Sequence, residues 1–304
     1  MIINCLVSSL IIAQLRHLKK NPVYNIDNFK ANFGKKELYI NTFKNHLKAH
    51  SFIEKPHRHN FYLLVLFTNG SGNHAIDFTN YAIKPGSLFV LQPGQIHHWE
   101  LSEDIEGYIF FYSQEVYNIY FAQKKIEDYP FYQSVRNQPA IVFEKEELQT
   151  LLPYFDLMIQ ESQSANSNKQ DKLLNLLDCI HIEISGKYLA ESNHTSHSYN
   201  YKIQHFEQLL EQYFTTEKAP SFYAEKMNIT LKHLNRICKN ILNQTVTELI
   251  AKRIILEAKR LLIDASKTIN QVADNLGFEN YSYFIRLFKK QTGMTPSEFR
   301  KMIN

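Results

Sequence analysis

Cysteine, uninterrupted apolar stretches and a dominant charge sign are all scarce in this 304-residue chain. Its three cysteines, Cys5, Cys179 and Cys238, share no short spacing. That excludes a disulfide framework or a zinc knuckle and points to a reducing compartment. No run reaches the ~18 consecutive apolar residues of a membrane span. The most apolar stretch, Ile2 to Leu15, is broken by Asn4, Ser8, Ser9 and Gln14, and its basic cluster (Arg16, Lys19, Lys20) follows it instead of preceding it. That order is the reverse of a secretory signal. The expectation is a cytoplasmic protein with no membrane association, in which residues 1–24 form a poorly ordered extension. What is present is a chain 44% hydrophobic and 13% aromatic with a formal net charge of +4. It is too apolar for disorder and long enough for two domains, each with its own core.

The small net charge conceals an asymmetry. Residues 200–304 carry 16 Lys and Arg against 10 Asp and Glu, whereas the first 199 residues carry 18 against 20. A basic C-terminal third on a mildly acidic body is the distribution of a tethered nucleic-acid binder. A solvated helical surface gives the same count, so motifs must decide.

Residues from about 38 to 112 read as β-structure. Runs rich in aromatic and β-branched residues (Phe61 to Phe67, Ala75 to Phe78, Leu88 to Leu91, Tyr108 to Tyr112) alternate with turn signals at Asn69 to Gly72, Pro85-Gly86 and Pro93-Gly94. Evenly spaced short strands of this kind indicate a sandwich or barrel. From about Lys145 the apolar period becomes 3.6. One helix is expected from Lys145 to Ser162 and, after the polar stretch Gln163 to Lys169, another from Gln170 to Ala190. The second carries Leu173, Leu176, Leu177, Ile180 and Ile184 on one face. Such a stripe either packs on its own domain or forms a dimer seam, and residues 144–190 are read as a helical dimerisation segment. Residues 191–199 are polar, unpatterned and suited to a linker.

Beyond the linker, helix-start signals recur. Thr245 with Glu248, Thr268 with Gln271, and Thr295 with Glu298 each have capping-box spacing, and Pro296 occupies a first-turn position where its missing N–H costs nothing. Between residues 269 and 286 the pattern is that of a helix-turn-helix. Ile269, Val272, Ala273 and Leu276 face inward, Ala273 is small enough for a crossing helix, Gly277 turns the chain and Phe278 plugs the gap. Phe284, Leu287 and Phe288 then face the core, leaving Tyr281, Ser282, Ile285, Arg286 and Lys289 for a major groove.

Gly277-Phe278, followed by the stretch from Phe288 through Gly293, Pro296 and Phe299 to Arg300, closely resembles the C-terminal signature of the AraC/XylS family of transcription regulators. The resemblance extends over Tyr201 to Arg300. It implies two helix-turn-helix units, at about 220–240 and 269–292, inside a DNA-binding domain at 200–304. In the first unit Ala224 corresponds to the crossing residue, Ile229 to the turn residue and Thr230 to the cap of a recognition helix. Thr247 to Leu262 corresponds to the connecting helix. Cys238 and Asn243 depart from the family's usual Phe and Gly. Asparagine tolerates a left-handed turn, and Cys238 should be a buried core thiol. Carried over by position, Lys232, Asn235, Arg236, Tyr281, Ser282, Ile285 and Arg286 should contact base edges. Lys239, Lys289, Thr230 and Asn280 should contact phosphate. The partners so implied are promoter DNA, RNA polymerase and a second copy of the chain.

In the N-terminal half, His57, His59, the Pro85-Gly86 and Pro93-Gly94 turns, and His97 look like a cupin β-barrel, expected over residues 25–143. In metal-binding cupins a Glu four residues beyond the His-x-His pair completes the ligand set, and Leu63 stands there. Three imidazoles could still hold zinc with an open position, yet regulators of this family mostly use the barrel for a small effector without metal. The expectation is therefore no metal and no cofactor, with an effector of unknown identity lined by His57, His59, Tyr62, His97 and Trp99 and walled by Phe67 and Phe110. The fold class expected is α+β in two domains, a cupin-like barrel with following helices and an all-α double helix-turn-helix. The favoured function is an effector-responsive transcription activator that is not an enzyme. The alternatives are a metal-dependent cupin enzyme carrying a DNA-binding tail, which Leu63 and the lack of any other carboxylate–His constellation oppose, and a regulator without a ligand.

Overall fold

The computed structural model describes residues 22–29, 38–50, 56–121, 124–132, 139–191 and 197–303. These divide into two compact units at about residue 192, in agreement with the α+β, two-domain expectation. No helix among the described residues is long and apolar enough to cross a membrane.

The N-terminal unit contains two five-stranded sheets. Strands β1 (Val23–Tyr24), β3 (His57–His59), β8 (Ile96–Leu101), β5 (Gly72–Ile76) and β6 (Thr79–Ile83) form the first, in that spatial order. Strands β10 (Ala140–Val142), β7 (Ser87–Leu91), β4 (Tyr62–Asn69), β9 (Glu106–Tyr112) and β2 (Leu38–Thr42) form the second. Helix α1 (Phe43–Ala49) follows β2, and α2 (Gln114–Tyr120) follows β9. All pairings are antiparallel except β1 with β3. The β5 strand ends at Ile76, because Asp77 takes φ +51° in the turn to β6, so the run read from Ala75 to Phe78 crosses a hairpin. Val23 and Tyr24 pair with Arg58 and His59, which places them in the sheet and shortens the expected extension. The remainder of that extension lies outside the described residues.

The second sheet is buried on both faces. Along β4, Leu63, Val65 and Phe67 point into the space between the sheets with Phe89, Phe111 and Trp99. Tyr62, Leu64 and Leu66 point the other way, into a cluster roofed by α3 (Lys145–Ser162) and α4 (Lys169–Glu191). This two-faced burial is why the strand reads as a continuous apolar run without alternation. Leu173, Leu177, Ile180 and Ile184 are all 0% exposed in that cluster. The stripe read as a dimer seam is therefore consumed by its own domain, and α3 and α4 keep Leu157 and Ile182 exposed instead.

A polar network lies within the roof. Asp178 of α4 accepts hydrogen bonds from Tyr117 Oη at 2.6 Å, from Tyr129 Oη and from Lys124 Nζ at 2.7 Å. Burial alone raises this carboxyl, but those three donors outweigh it and hold it below the usual carboxylate range. One turn on, His181 Nε2 lies 2.9 Å from Tyr112 Oη and 3.1 Å from Tyr132 Oη. Burial, with Asp178 and Lys124 as opposing lesser influences, drives the His181 imidazole down to about 3.

The C-terminal unit is all helical: α5 (His197–Tyr213), α6 (Pro220–Lys226), α7 (Leu231–Leu242), α8 (Val246–Leu262), α9 (Ile269–Asn275), α10 (Tyr281–Thr292) and α11 (Pro296–Ile303). The expected linker is narrower than 191–199, since Glu191 ends α4 and His197 opens α5; residues 192–196 lie outside the described set. All three capping boxes form: Thr245 N donates to Glu248 at 2.7 Å, Thr268 N to Gln271 at 2.8 Å and Thr295 N to Glu298 at 2.6 Å. The two turns share one hydrogen-bond pattern. Ile229 N donates to Ala224 O, and Phe278 N to Ala273 O, both at 3.0 Å. The left-handed residue is Asn228 (φ +52°) in the first and Gly277 (φ +68°) in the second. Asn228 is thus the turn residue of the first unit, and Ile229 is the plug, equivalent to Phe278. Arg253 of α8 donates twice to Glu211 of α5 at 2.9 Å and once to Glu257 at 3.1 Å, with its guanidinium 3.8 Å from the Phe214 ring. Cys238 is 0% exposed, and burial, reinforced by Glu207, pushes its thiol up to about 12.

Three stability outcomes follow. A Cβ at Gly277 would stand 2.0 Å from Thr215 O in a left-handed backbone, so Gly277→Ala should destabilise the chain by at least about 2 kcal/mol in urea unfolding. Asn243→Gly, also at a left-handed position (φ +53°), should change stability by less than about 0.5 kcal/mol. For His181, the unfolded chain takes up a proton below about pH 6.5 that the fold refuses. Its contribution is full above that pH and is lost as pH falls. His181→Asn should therefore shrink the stability difference between about pH 7.5 and about pH 5 by about 2 kcal/mol. An unchanged difference would show that the imidazole is not held neutral by this burial.

Candidate nucleic-acid interface and histidine cluster

Recognition-type helices form where the sequence changes from loop-favouring to helix-favouring residues behind a polar cap. Thr230 Oγ1 accepts from His233 N at 3.2 Å and opens α7, and Asn280 Oδ1 accepts from Tyr283 N at 3.0 Å and opens α10. Both N-termini carry a partial positive charge and unsatisfied amides, which is where a phosphate binds.

On α7, Lys232, Arg236 and Lys239 are exposed, while Leu234, Ile237 and Cys238 are buried. With Thr230 and Asn235 they line an open cleft of about 820 Å³, which also includes His233, Asn240, Thr245 and Thr247. None of those last four was expected to contact DNA, although Thr245 was read as a helix cap and Thr247 as the start of the connecting helix. His233 carries a signal only in hindsight, three residues before Arg236, whose Nη2 lies 3.0 Å from its Nδ1. Asn235 is half-buried and its Oδ1 accepts from Val246 N at 3.1 Å. One side of this amide is therefore committed to joining α7 to α8, which leaves its Nδ2 for a ligand. On α10, Tyr281, Ser282, Arg286 and Lys289 are exposed and Ile285 is half-buried, opposite buried Phe284 and Phe288. Tyr281 Oη donates to Asp274 Oδ1 at 2.8 Å, so its ring is held back toward α9. Tyr283 on the same helix is half exposed, with its ring 5.9 Å from that of Phe278, and was not anticipated.

Between the two sheets, β3 and β8 pair with His57 opposite His97, which brings His57, His59 and His97 together. Their ring centroids lie 4.5 to 4.8 Å apart, and His59 Nε2 and His97 Nε2 are 2.7 Å apart. His74 of β5, absent from the expected lining, places its Nε2 3.0 Å from His97 Nδ1. Burial first, and neighbouring imidazoles second, hold His59, His74 and His97 well below the ordinary histidine value. Trp99 sits beside them, its ring 4.8 Å from that of His97. Phe67 belongs to the same interior cluster.

Tyr62 and Phe110 do not join them. Both lie on the opposite face of their sheet, Tyr62 stacked on Tyr112 at 5.6 Å beneath the helical roof. The reason is strand periodicity: with Leu63 and Phe111 inward, their neighbours must point outward. Leu63, which stands where the cupin resemblance would put a metal-binding Glu, is 0% exposed.

Comparison with known proteins agrees with this division. Residues 38–198 match the family described as AraC-like ligand binding domain, and residues 223–302 match a helix-turn-helix domain family. The chain is 22% identical over 256 residues to the HTH-type transcriptional regulator YfiF of Bacillus subtilis (strain 168), covering 81% of this chain and 78% of that one. It is 22% identical over 246 residues to the HTH-type transcriptional activator RhaR of Mannheimia succiniciproducens, covering 80% and 86%. Among solved structures, ToxT from Vibrio cholerae aligns over 88% of this chain and 98% of its own, at 13% identity and a TM-score of 0.42.

The Asn235 contact separates structural from surface roles on α7. Asn235→Ala should lower stability by about 1 kcal/mol through loss of the bond to Val246 N, whereas Lys232→Ala should leave it within about 0.5 kcal/mol. Thermal or urea unfolding of the two variants reads this directly. Equal stability would show that the Asn235 amide does not secure the junction.

Proposed function

The chain belongs to the AraC family of transcription regulators, and from that premise we propose that it binds specific operator sequences through α7 and α10 in response to an effector held in the N-terminal unit. The observation that carries this reading is the repetition, within one all-helical unit, of a capped helix presenting exposed cations beyond a left-handed turn. Lys232, Asn235 through its Nδ2, and Arg236 are assigned to base edges in one groove. Tyr281, Ser282, Ile285 and Arg286 are assigned to the next. Arg favours guanine and Asn adenine, each good pair contributing about 1–3 kcal/mol of discrimination. Thr230, Lys239, Asn280 and Lys289 would fix register on phosphates.

The effector-binding lining proposed is His57, His59, His97 and Trp99, now with His74 and without Tyr62. An effector regulates only through unequal affinity for two states of the protein, and the segment between Glu191 and His197 is the proposed articulation. Activation is the favoured sign, since RhaR is a transcriptional activator, and it entails contact with RNA polymerase. No catalytic residue is assigned, in keeping with relatives that are transcriptional regulators. Self-association through residues 144–190 would have to use the faces that the core leaves free, those of Leu157 and Ile182. Sedimentation velocity of the full chain reads that point, a monomer at working concentration being the contrary result.

Binding sites recovered from genomic DNA by the purified chain supply the probe. Arg286→Ala should weaken specific binding at least tenfold in a gel shift while leaving the unfolding midpoint unchanged. Undiminished affinity would remove Arg286 from the reading face.

A further inference from the structure

We propose that His57, His59 and His97 form a binding site for one divalent first-row transition metal ion, held by three imidazoles with His74 as the residue that orients His97. The proposal deepens the effector reading and rests on it for any link to DNA, but not for ion binding itself.

The ligand atoms of the three histidines all lie within 4.8 Å of one another, and every one of the three residues is buried. A tetrahedral site with metal–nitrogen bonds of 2.0–2.1 Å needs donors about 3.3 Å apart. The 2.7 Å separation of the two Nε2 atoms and the 4.8 Å limit bracket that value, so small ring rotations reach it. The clustering is not a by-product of apolar packing, because an isolated buried imidazole is costly and this interior collects four. His97 already has what a ligand histidine uses: its Nδ1 faces His74 Nε2 at 3.0 Å. In that arrangement His97 donates its Nδ1 proton to His74 and leaves its Nε2 lone pair for the ion.

The chemistry of the set selects the ligand class. Neutral imidazoles suit zinc, nickel, copper or iron, whereas calcium and magnesium require oxygen donors. Among the described residues no carboxylate joins the group, so the fourth position falls to water or an anion. A polar donor for such a group is at hand. Trp99 is 8% exposed, and its Nε1 has no hydrogen-bond partner among the described residues. Space favours an ion over an organic molecule between these three rings, whose centroids are no more than 4.8 Å apart. A sugar or aromatic acid does not fit between them.

The test uses the full chain without a polyhistidine tag, stripped with chelator and titrated calorimetrically with zinc chloride. Cobalt(II) substitution is followed in parallel by its visible d–d absorption. One zinc per chain and intense low-coordinate cobalt bands are expected. His59→Gln and His97→Gln should each weaken zinc binding at least 100-fold, and His98→Gln should leave it unchanged. His74→Phe, which keeps all three ligands, should weaken it about tenfold. It supplies the answer should a ligand variant fail to fold, as judged by far-ultraviolet circular dichroism. Absence of stoichiometric zinc binding by the wild-type chain would overturn the proposal, as would binding indifferent to His59→Gln, His97→Gln and His74→Phe. Operator affinity measured with and without zinc separates the two readings. A chain that binds zinc but no DNA faults the DNA-binding assignment alone, and one that binds DNA but no zinc faults the metal site alone.

Discussion

Burial of strand β4 on both faces is the constraint from which the N-terminal unit follows. Tyr62, Leu63, Leu64, Val65, Leu66 and Phe67 are each at most 4% exposed, so this strand needs a layer on either side. Alternate residues sort themselves accordingly. Leu63, Val65 and Phe67 demand a second sheet across the interior, and Tyr62, Leu64 and Leu66 demand helices outside. That facing sheet, the first, brings β3 and β8, whose pairing faces His57 with His97. The helices bring Asp178 and His181 against the tyrosines of the outer face. The polar cluster inside and the phenol network outside are therefore two consequences of one doubly covered strand.

The C-terminal unit is organised by a different constraint, the repeated close crossing of two short helices. Ala224 and Ala273 provide room for the crossing, and Ile229 and Phe278 fill what the turn opens. A left-handed residue makes the reversal. Gly277 is in place where another backbone would stand 2.0 Å from a Cβ, and asparagine serves in the first unit at position 228. Each unit needs α8 beneath it, and Arg253 fixes α8 to α5 through Glu211, Glu257 and the face of Phe214. With the cores satisfied this way, Lys232, Arg236, Lys239, Arg286 and Lys289 remain exposed, and that part of the basic surplus beyond position 200 becomes a placed charge.

Helix starts were the most legible part of the sequence, because a capping box is a contact over three residues and needs no distant partner. Turn chemistry was nearly as clear, although Asn228 was passed over for Ile229, since only backbone dihedrals distinguish the turn from its plug. The histidine cluster was visible in part. His57 and His59 share a short motif with a recognisable later His, but His74 joins them only through the registers of β5 and β8, which no local pattern records. Tyr62 was misplaced for a related reason: a strand covered on both sides gives no alternation to tell its faces apart. The fate of the α4 stripe had the same origin, for a buried heptad-like face looks alike whether its cover is its own sheet or a second chain.

Two helix-turn-helix units in one chain should engage two successive major grooves, and their spacing on DNA is the most direct consequence of that claim. Hydroxyl-radical footprinting of the full chain on a selected genomic site measures it. The account expects two protected patches, their centres one helical turn (about 10 base pairs) apart, with Arg236→Ala and Arg286→Ala each thinning a different patch. A single patch thinned alike by both substitutions would contradict it.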